Sequence, residues 1–122
     1  MKLLVGVGGS DDGFRALERT VERARAAGDD LTVAVLEDAT DAGDVDDVVG
    51  RVREALAAAS VDAEIRRLAG DPGSALVDLA ESEGFDRVAI GGGSRSPMGK
   101  ITIGPVAEFV LLNSHVTVTL VR

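Results

Sequence analysis

The stretch GGGSRSPMGKITIGP, residues 91–105, is the part of the sequence best suited to chemistry. It contains no Asp or Glu, although the whole chain carries 21 of these residues against 13 Lys and Arg. Its glycines allow backbone N–H groups to turn toward a ligand, and the start of a following helix adds partial positive charge. Arg95 and Lys100 fall inside it. The composition therefore favours anion binding, with a plain surface loop as the alternative.

This stretch does not have the pattern of a P-loop. Gly99 and Lys100 are followed by Ile101, where a P-loop has Ser or Thr to contact the metal ion. The glycine required five residues before Gly99 is Ser94. Any phosphate would have to be held by another arrangement of backbone donors.

A second glycine cluster, GVGGSD at residues 6–11, begins like the dinucleotide fingerprint G-x-G-x-x-G. Glu37 or Asp38 follows the second predicted strand, where a ribose-binding acid would be expected. However, Asp11 replaces the third glycine and would face the pyrophosphate. The chain also has no second half for a nicotinamide. A strand-to-helix turn is therefore the better interpretation than a dehydrogenase site.

No metal centre or catalytic triad is expected. The single histidine, His115, precedes the last predicted strand with no cysteine or adjacent acid in the sequence. The acid-rich residues 37–47 lack the Glu that an EF-hand places at position twelve when counted from Asp38, so a solvated loop is predicted.

Short apolar runs alternate with helical patterns along the whole chain. Strands are predicted at 2–7, 31–36, 61–68, 86–90 and 116–121. Helices are predicted from Ser10 to near Gly28, over 45–56, from Gly73 to Gly84 and over 105–113, with a long loop over 91–103. The third strand alternates in part and is predicted nearer an edge. This order implies a parallel sheet covered on both faces, with ligands beyond the carboxyl ends of its strands, where both glycine turns lie.

Bulk composition narrows the class of protein. The 122 residues suit one domain over 1–122, and the net charge of −8 argues against nucleic acid as a partner. The chain has no cysteine, no apolar stretch of the ~20 residues that span a membrane, and no signal peptide pattern, so a soluble, cytoplasmic protein without membrane partners is expected. Most of the acidic residues are Asp, most of the basic residues are Arg, and only two residues are Lys. This composition resembles that of proteins from salt-loving organisms.

The stretch over residues 90–106, together with LLVGVGGSDDGFRAL, LTVAVLED and VAEFVL, resembles the universal stress protein family over essentially the whole chain. The resemblance implies a three-layer, doubly wound α/β fold. Its five-stranded parallel sheet would have the order 3-2-1-4-5, with helices on both faces. The implied role is regulatory, in the stress response in the cytoplasm.

In the nucleotide-binding branch of this family, the fourth strand is followed by Gly, two residues, Gly, nine residues, and then Gly with Ser or Thr. Gly91 and Gly104 match this motif, whereas Ser94 and Pro105 depart from it. Gly8 also departs, because ATP-binding relatives usually carry an Asp there that contacts the adenosine. The resemblance thus implies an adenine nucleotide, ATP or AMP, held with weakened affinity, and Mg²⁺ only alongside ATP.

The resemblance assigns two groups of site residues. The phosphate group comprises Gly91, Gly93, Ser94, Arg95, Ser96, Gly104 and Val106. The adenosine pocket comprises Gly6, Val7, Gly8, Leu36 and Ile90. Leu36, Ile90 and Val106 are equally suited to the hydrophobic core.

The resemblance further implies that the last strand is an edge and pairs with a second copy of the chain, through Val116, Val118 and Leu120. The alternative function is therefore a homodimeric interaction or signalling module that needs no nucleotide and acts through an unidentified protein partner. No catalytic residue is predicted. Slow ATP hydrolysis ranks last, because no general base is evident beside the expected phosphates.

Overall fold

The structure is a computed structural model that describes residues 1–40, 44–92, 94–95 and 101–121. For residues 94–95 and 101–102 only the backbone is described.

Strands and helices alternate as the sequence predicts. The strands are β1 Lys2–Val7, β2 Asp30–Leu36, β3 Ala63–Leu68, β4 Arg87–Gly91, β5 Ser94–Arg95, β6 Ile101–Thr102 and β7 Thr117–Val121. The helices are α1 Asp11–Ala27, α2 Val45–Ala58, α3 Pro72–Ser82 and α4 Pro105–Asn113, and a short 3-10 turn covers Glu37–Ala39. None of the helices described is long and apolar enough to cross a bilayer.

Five strands form one parallel sheet in the order β3-β2-β1-β4-β7. Counting only the strands of this sheet, the order is 3-2-1-4-5, which confirms the predicted fold. One difference lies in the expected loop over 91–103. There, β5 and β6 pair antiparallel through Ser94 with Thr102 and Arg95 with Ile101. Strands of two residues carry no hydrophobic periodicity, so the sequence pattern does not reveal them.

Helix α1 shows how local sequence sets an element. The Ser10 side chain accepts a hydrogen bond from the backbone N–H of Gly13 at 3.1 Å, which caps the first turn. Asp11 and Asp12 place negative charge at the positive end of the helix dipole. Gly28 ends the helix in a left-handed conformation with φ of 71°, which a residue with a side chain adopts less readily.

The sheet separates two hydrophobic clusters, one on each face. Leu3 and Val5 of β1 pack with α1 and α2, whereas Leu4 of the same strand packs with α3 and α4. Successive side chains of a strand point to opposite faces, so a strand covered on both sides must be apolar at nearly every position. This accounts for the largely apolar sequences of β1 and β2, in which Thr32 is buried as well.

Candidate functional site

The two glycine turns lie side by side at the carboxyl edge of the sheet. β1 and β4 are neighbouring parallel strands, and Gly6 is aligned with Ile90. β1 ends at Val7 and β4 ends at Gly91, so the turns that follow, which begin at Gly8 and Gly92, leave the sheet at the same edge. This is the position in a doubly wound sheet where ligands bind.

The turn after β1 packs closely against the segment that follows β2. A Cβ at Gly8 would lie 3.1 Å from the Cβ of Ala39, and Gly9 has a φ of +87°, which favours glycine. The hydroxyl of Thr40 lies 3.1 Å from the carbonyl oxygens of both Gly8 and Leu36, so its proton ties the ends of β1 and β2 together. No sequence pattern singles out Ala39 or Thr40, because they lie within an acid-rich segment without a motif.

The end of β4 packs directly on the first turn of α1, and the next residue packs on β7. A Cβ at Gly91 would lie 2.5 Å from the carbonyl oxygen of Asp12 and 2.8 Å from its carbonyl carbon. A Cβ at Gly92 would overlap the side chain of Leu120, and the N–H of Gly92 donates to the carbonyl of Val121 at 3.1 Å. Glycine is therefore required here for packing, quite apart from any ligand.

The apolar residues assigned to the adenosine pocket, and Val106 of the phosphate group, pack into the core in this structure. Leu36 is 2% exposed and Ile90 is 5% exposed, both in the cluster under α3 and α4, and Val106 packs against the same cluster. A Cβ at Gly6 would lie 2.8 Å from Leu76 of α3. Val7 points to the opposite face, into the cluster under α1 and α2, so only its backbone faces the α3 side.

The start of α4 supplies backbone donors but lacks one of the usual set. Gly104 precedes the helix and has no side chain to cap it, and its carbonyl accepts from the N–H of Glu108 at 2.9 Å. The N–H groups of Val106 and Ala107, in the first turn, have no acceptor within the helix. Pro105 has no N–H to offer, although its fixed φ suits the first helical position.

Acidic charge near this edge is partly neutralised. The Nε of Arg67 donates to Glu37 at 3.1 Å, and its Nη1 donates to Asp46 at 3.0 Å. The hydrogen bond to Glu37, and then that to Asp46, raise the pKa of Arg67 above its ordinary value. Glu37, one of the two acids considered for a ribose, is thus engaged in an ion pair. On α1, Arg15 lies 3.6 Å from Asp12.

Several predicted residues are described incompletely or lie apart from this edge. Gly93 and Ser96 lie outside the described residues, and Ser94 and Arg95 are described only as the backbone of β5. His115 is exposed and its Nδ1 lies 2.9 Å from Glu81 Oε1. Within the described ranges, no three His, Cys, Asp or Glu side chains come together to hold a metal ion.

An open α/β sheet of this order, with glycine turns at its carboxyl edge, defines a doubly wound domain. The universal stress protein family matches residues 1–122, and the chain belongs to this family. No curated protein matches the sequence significantly.

Solved universal stress proteins share the fold. One from Archaeoglobus fulgidus is 24% identical with a TM-score of 0.83, covering 100% of this chain and 98% of its own. A universal stress protein solved in complex with cAMP is 25% identical with a TM-score of 0.78. The match covers 98% of this chain and 94% of that protein. A third, from Archaeoglobus fulgidus in complex with dAMP, is 22% identical with a TM-score of 0.75. The match covers 100% of this chain and 98% of that protein.

Proposed function

We propose that this protein is a cytoplasmic regulatory domain of the stress response that binds an adenine nucleotide, ATP or AMP, at the turns after β1 and β4. The observation that carries the proposal is the alignment of Gly6 with Ile90, which sets the two glycine turns against each other at the carboxyl edge. The relatives solved with cAMP and dAMP support adenine nucleotides as the ligand class.

In this proposal the phosphates lie near the turn after β4 and the start of α4. The N–H groups of Val106 and Ala107 carry the partial positive charge of the helix terminus, which favours an anion. Arg95 adds a cation in a stretch without acids. The adenosine lies toward the end of β1, beside the turn that begins at Gly8.

The affinity is proposed to be weak, because two hydrogen-bonding positions are missing. Gly8 offers no carboxylate to the adenosine, and Pro105 offers neither an N–H nor a hydroxyl to a phosphate. Each lost hydrogen bond costs about 1 kcal/mol, so two or three losses weaken binding roughly ten- to several-hundredfold.

A second candidate function, a nucleotide-independent homodimeric module, is favoured by the surface around β7. This strand forms an edge of the sheet and has no charged residue, and Val116, Val118 and Leu120 are half-buried on its α4 side. On α4, Leu112 is 76% exposed, which is costly for a large apolar side chain in water. In this alternative the β7 edge pairs with a second copy and the dimer contacts an unidentified protein.

Equilibrium binding of ATP, ADP and AMP separates the two functions. The protein should first be unfolded and refolded to remove any nucleotide, and measured at high salt, because salt screens the repulsion within so acidic a chain. The proposal predicts saturable binding weaker than micromolar. Absence of binding at millimolar nucleotide would leave the interaction module as the better account, whereas micromolar binding would contradict the weakened affinity.

Substitution of the two cations in the stretch 91–105 tests the phosphate position. Arg95→Ala and Lys100→Ala each remove a positive charge that we place near the phosphates, so both should weaken ATP binding. Arg53→Ala, on the exposed side of α2, removes the same charge elsewhere and serves as the control. Equal affinities in all three variants would place any nucleotide at another site.

A further inference from the structure

A small cavity lies on the α1 side of the sheet, between α1 and the strands β4 and β7. Its volume is about 130 Å³. Three apolar side chains line it, Leu3, Ala89 and Val121, together with the hydroxyl residues Thr20 and Thr119. It opens beside the last strand because α1 covers β1 and β4 more fully than β7.

Arginines supply the remaining lining of this cavity. Arg19 and Arg23 come from α1, and Arg87 comes from the start of β4. None of the described residues that line it is acidic, although acids outnumber Lys and Arg in the chain by 21 to 13. Arg23 and Arg87 have no described carboxylate within ion-pair distance, in contrast to Arg66, whose Nη1 lies 2.8 Å from Glu83.

Arg87 contains a buried donor that lacks an acceptor. Its Nε is buried, and it has no hydrogen-bond partner among the described residues. Buried polar atoms in folded proteins nearly always have a partner, and an unpaired donor on a charged group is especially costly. Since the Nε atom is closed to solvent, an acceptor from outside the chain would reach it only after the Arg87 side chain shifts toward the cavity that it lines.

We propose that the cavity binds a small carboxylate that carries a short apolar tail. The carboxylate accepts hydrogen bonds from Arg87 and Arg23, since guanidinium groups match the two oxygens of a carboxylate. The tail lies on Leu3, Ala89 and Val121. The volume corresponds to about four water molecules, which suits an acid of a few carbon atoms and is too small to enclose a nucleotide.

This site is independent of the nucleotide proposed at the carboxyl edge. Arg87 lies at the start of β4, whereas the glycine turn lies at its end, four residues and roughly 13 Å further along the strand. Failure of either proposal would therefore leave the other unaffected.

Nuclear magnetic resonance titration of the ¹⁵N-labelled protein with sodium butyrate tests the proposal, with acetate and inorganic phosphate as comparison anions. We expect saturable shifts at the amides of Thr20, Ala89 and Thr119, and tighter binding of butyrate than of acetate or phosphate. Absence of saturable shifts at these amides would overturn the site. Phosphate binding as tightly as butyrate would overturn the assignment to carboxylates.

Two variants with one matched control locate the binding. Arg87→Gln should weaken butyrate binding about tenfold or more, because it removes a charged hydrogen-bond donor. Thr119→Leu keeps the net charge and fills the cavity, so it should abolish binding even if Arg87→Gln fails to fold. Arg53→Gln removes a charge on an exposed face of α2 and should leave the affinity unchanged. Equal weakening by Arg53→Gln, or full binding by Thr119→Leu, would contradict the proposal.

Discussion

At the residue scale, Gly8 and Pro105 limit the hydrogen bonds available to a nucleotide. Each has a structural reason to be present: Gly8 leaves room for Ala39, and Pro105 starts α4 with a suitable φ. Gly8 has no side-chain carboxylate to offer a ligand, and Pro105 has no N–H or hydroxyl. The proposed weak affinity can therefore be tested by restoring each group separately.

Pro105→Ser restores an N–H and a hydroxyl at the first position of α4. Nucleotide affinity should rise about tenfold, because one or two hydrogen bonds to phosphate become available. Isothermal titration calorimetry with AMP and ATP measures the change. Pro72→Ser makes the same substitution at the start of α3 and should have no effect on affinity. If both variants bind as the natural protein does, the start of α4 does not hold phosphate.

Gly8→Asp restores the carboxylate expected to contact adenosine, but its Cβ would lie 3.1 Å from that of Ala39. The single variant should lose about 1 kcal/mol in the free energy of unfolding, and Ala39→Gly should recover part of it by removing the close contact. Urea unfolding measures both effects.

The double variant Gly8→Asp with Ala39→Gly should bind AMP more tightly than Ala39→Gly alone, which serves as its matched control. Unchanged affinity in this pair would mean that the adenosine does not reach the end of β1.

At the element scale, the contact between the end of β4 and the first turn of α1 determines the shape of the candidate site. Gly91→Ala would force a Cβ against the carbonyl of Asp12 at 2.5 Å, and backbone on both sides cannot easily move. We expect a loss of about 2 kcal/mol or more in the free energy of unfolding.

Gly50→Ala provides the control for Gly91→Ala. Gly50 lies within α2, and a Cβ at this position would meet no neighbouring element within 4 Å. Alanine should therefore stabilise the protein by about 0.5–1 kcal/mol through helix propensity. Denaturant unfolding compares the two variants. A Gly91→Ala protein as stable as the natural one would contradict the close packing and leave ligand approach as the reason for this glycine.

Local signals make the main elements predictable. Ser10 and Gly28 mark the ends of α1, and Pro105 marks the start of α4. Each of them affects only backbone that is close to it in the sequence, so its effect can be predicted from the sequence. The packing role of Gly91 is not predictable, since its partner Asp12 is distant in the sequence. The sequence motif around Gly91 predicts only a contact with phosphate.

At the scale of the whole molecule, the two edges of the sheet differ in charge. β3 carries Glu64, Arg66 and Arg67, and charged edge strands resist pairing with another chain. β7 has the sequence TVTLV with no charge. We therefore expect the chain to form a two-fold dimer through β7 and not through β3.

Hydrogen exchange at several protein concentrations tests this dimer. In β7, the alternate amides that point away from β4 should be protected at high concentration and exchange faster on dilution, because their partners belong to a second copy. The outward amides of β3 form the internal control and should exchange at a rate independent of concentration. A sedimentation mass equal to one chain, with no dependence of β7 exchange on concentration, would show that the edge is unpaired.

The alternation of strands and helices predicts a parallel sheet with two covered faces, but it does not determine which strands are neighbours. The order is predictable only through the family resemblance. The cavity is not predictable at all, because Arg23 of α1 and Arg87 of β4 are brought together only by the folded sheet. Sites assembled from distant segments leave no local pattern in the sequence.

Mapping of AMP binding by ¹⁵N chemical shifts tests the central proposal most directly. We expect saturable shifts at the amides of Gly8, Gly9, Gly92 and Val106, on the two turns that β1 and β4 place together and at the start of α4. The amides of β3 should remain unchanged. Absence of saturable shifts at millimolar AMP, or shifts confined to another surface, would contradict nucleotide binding at this edge of the sheet.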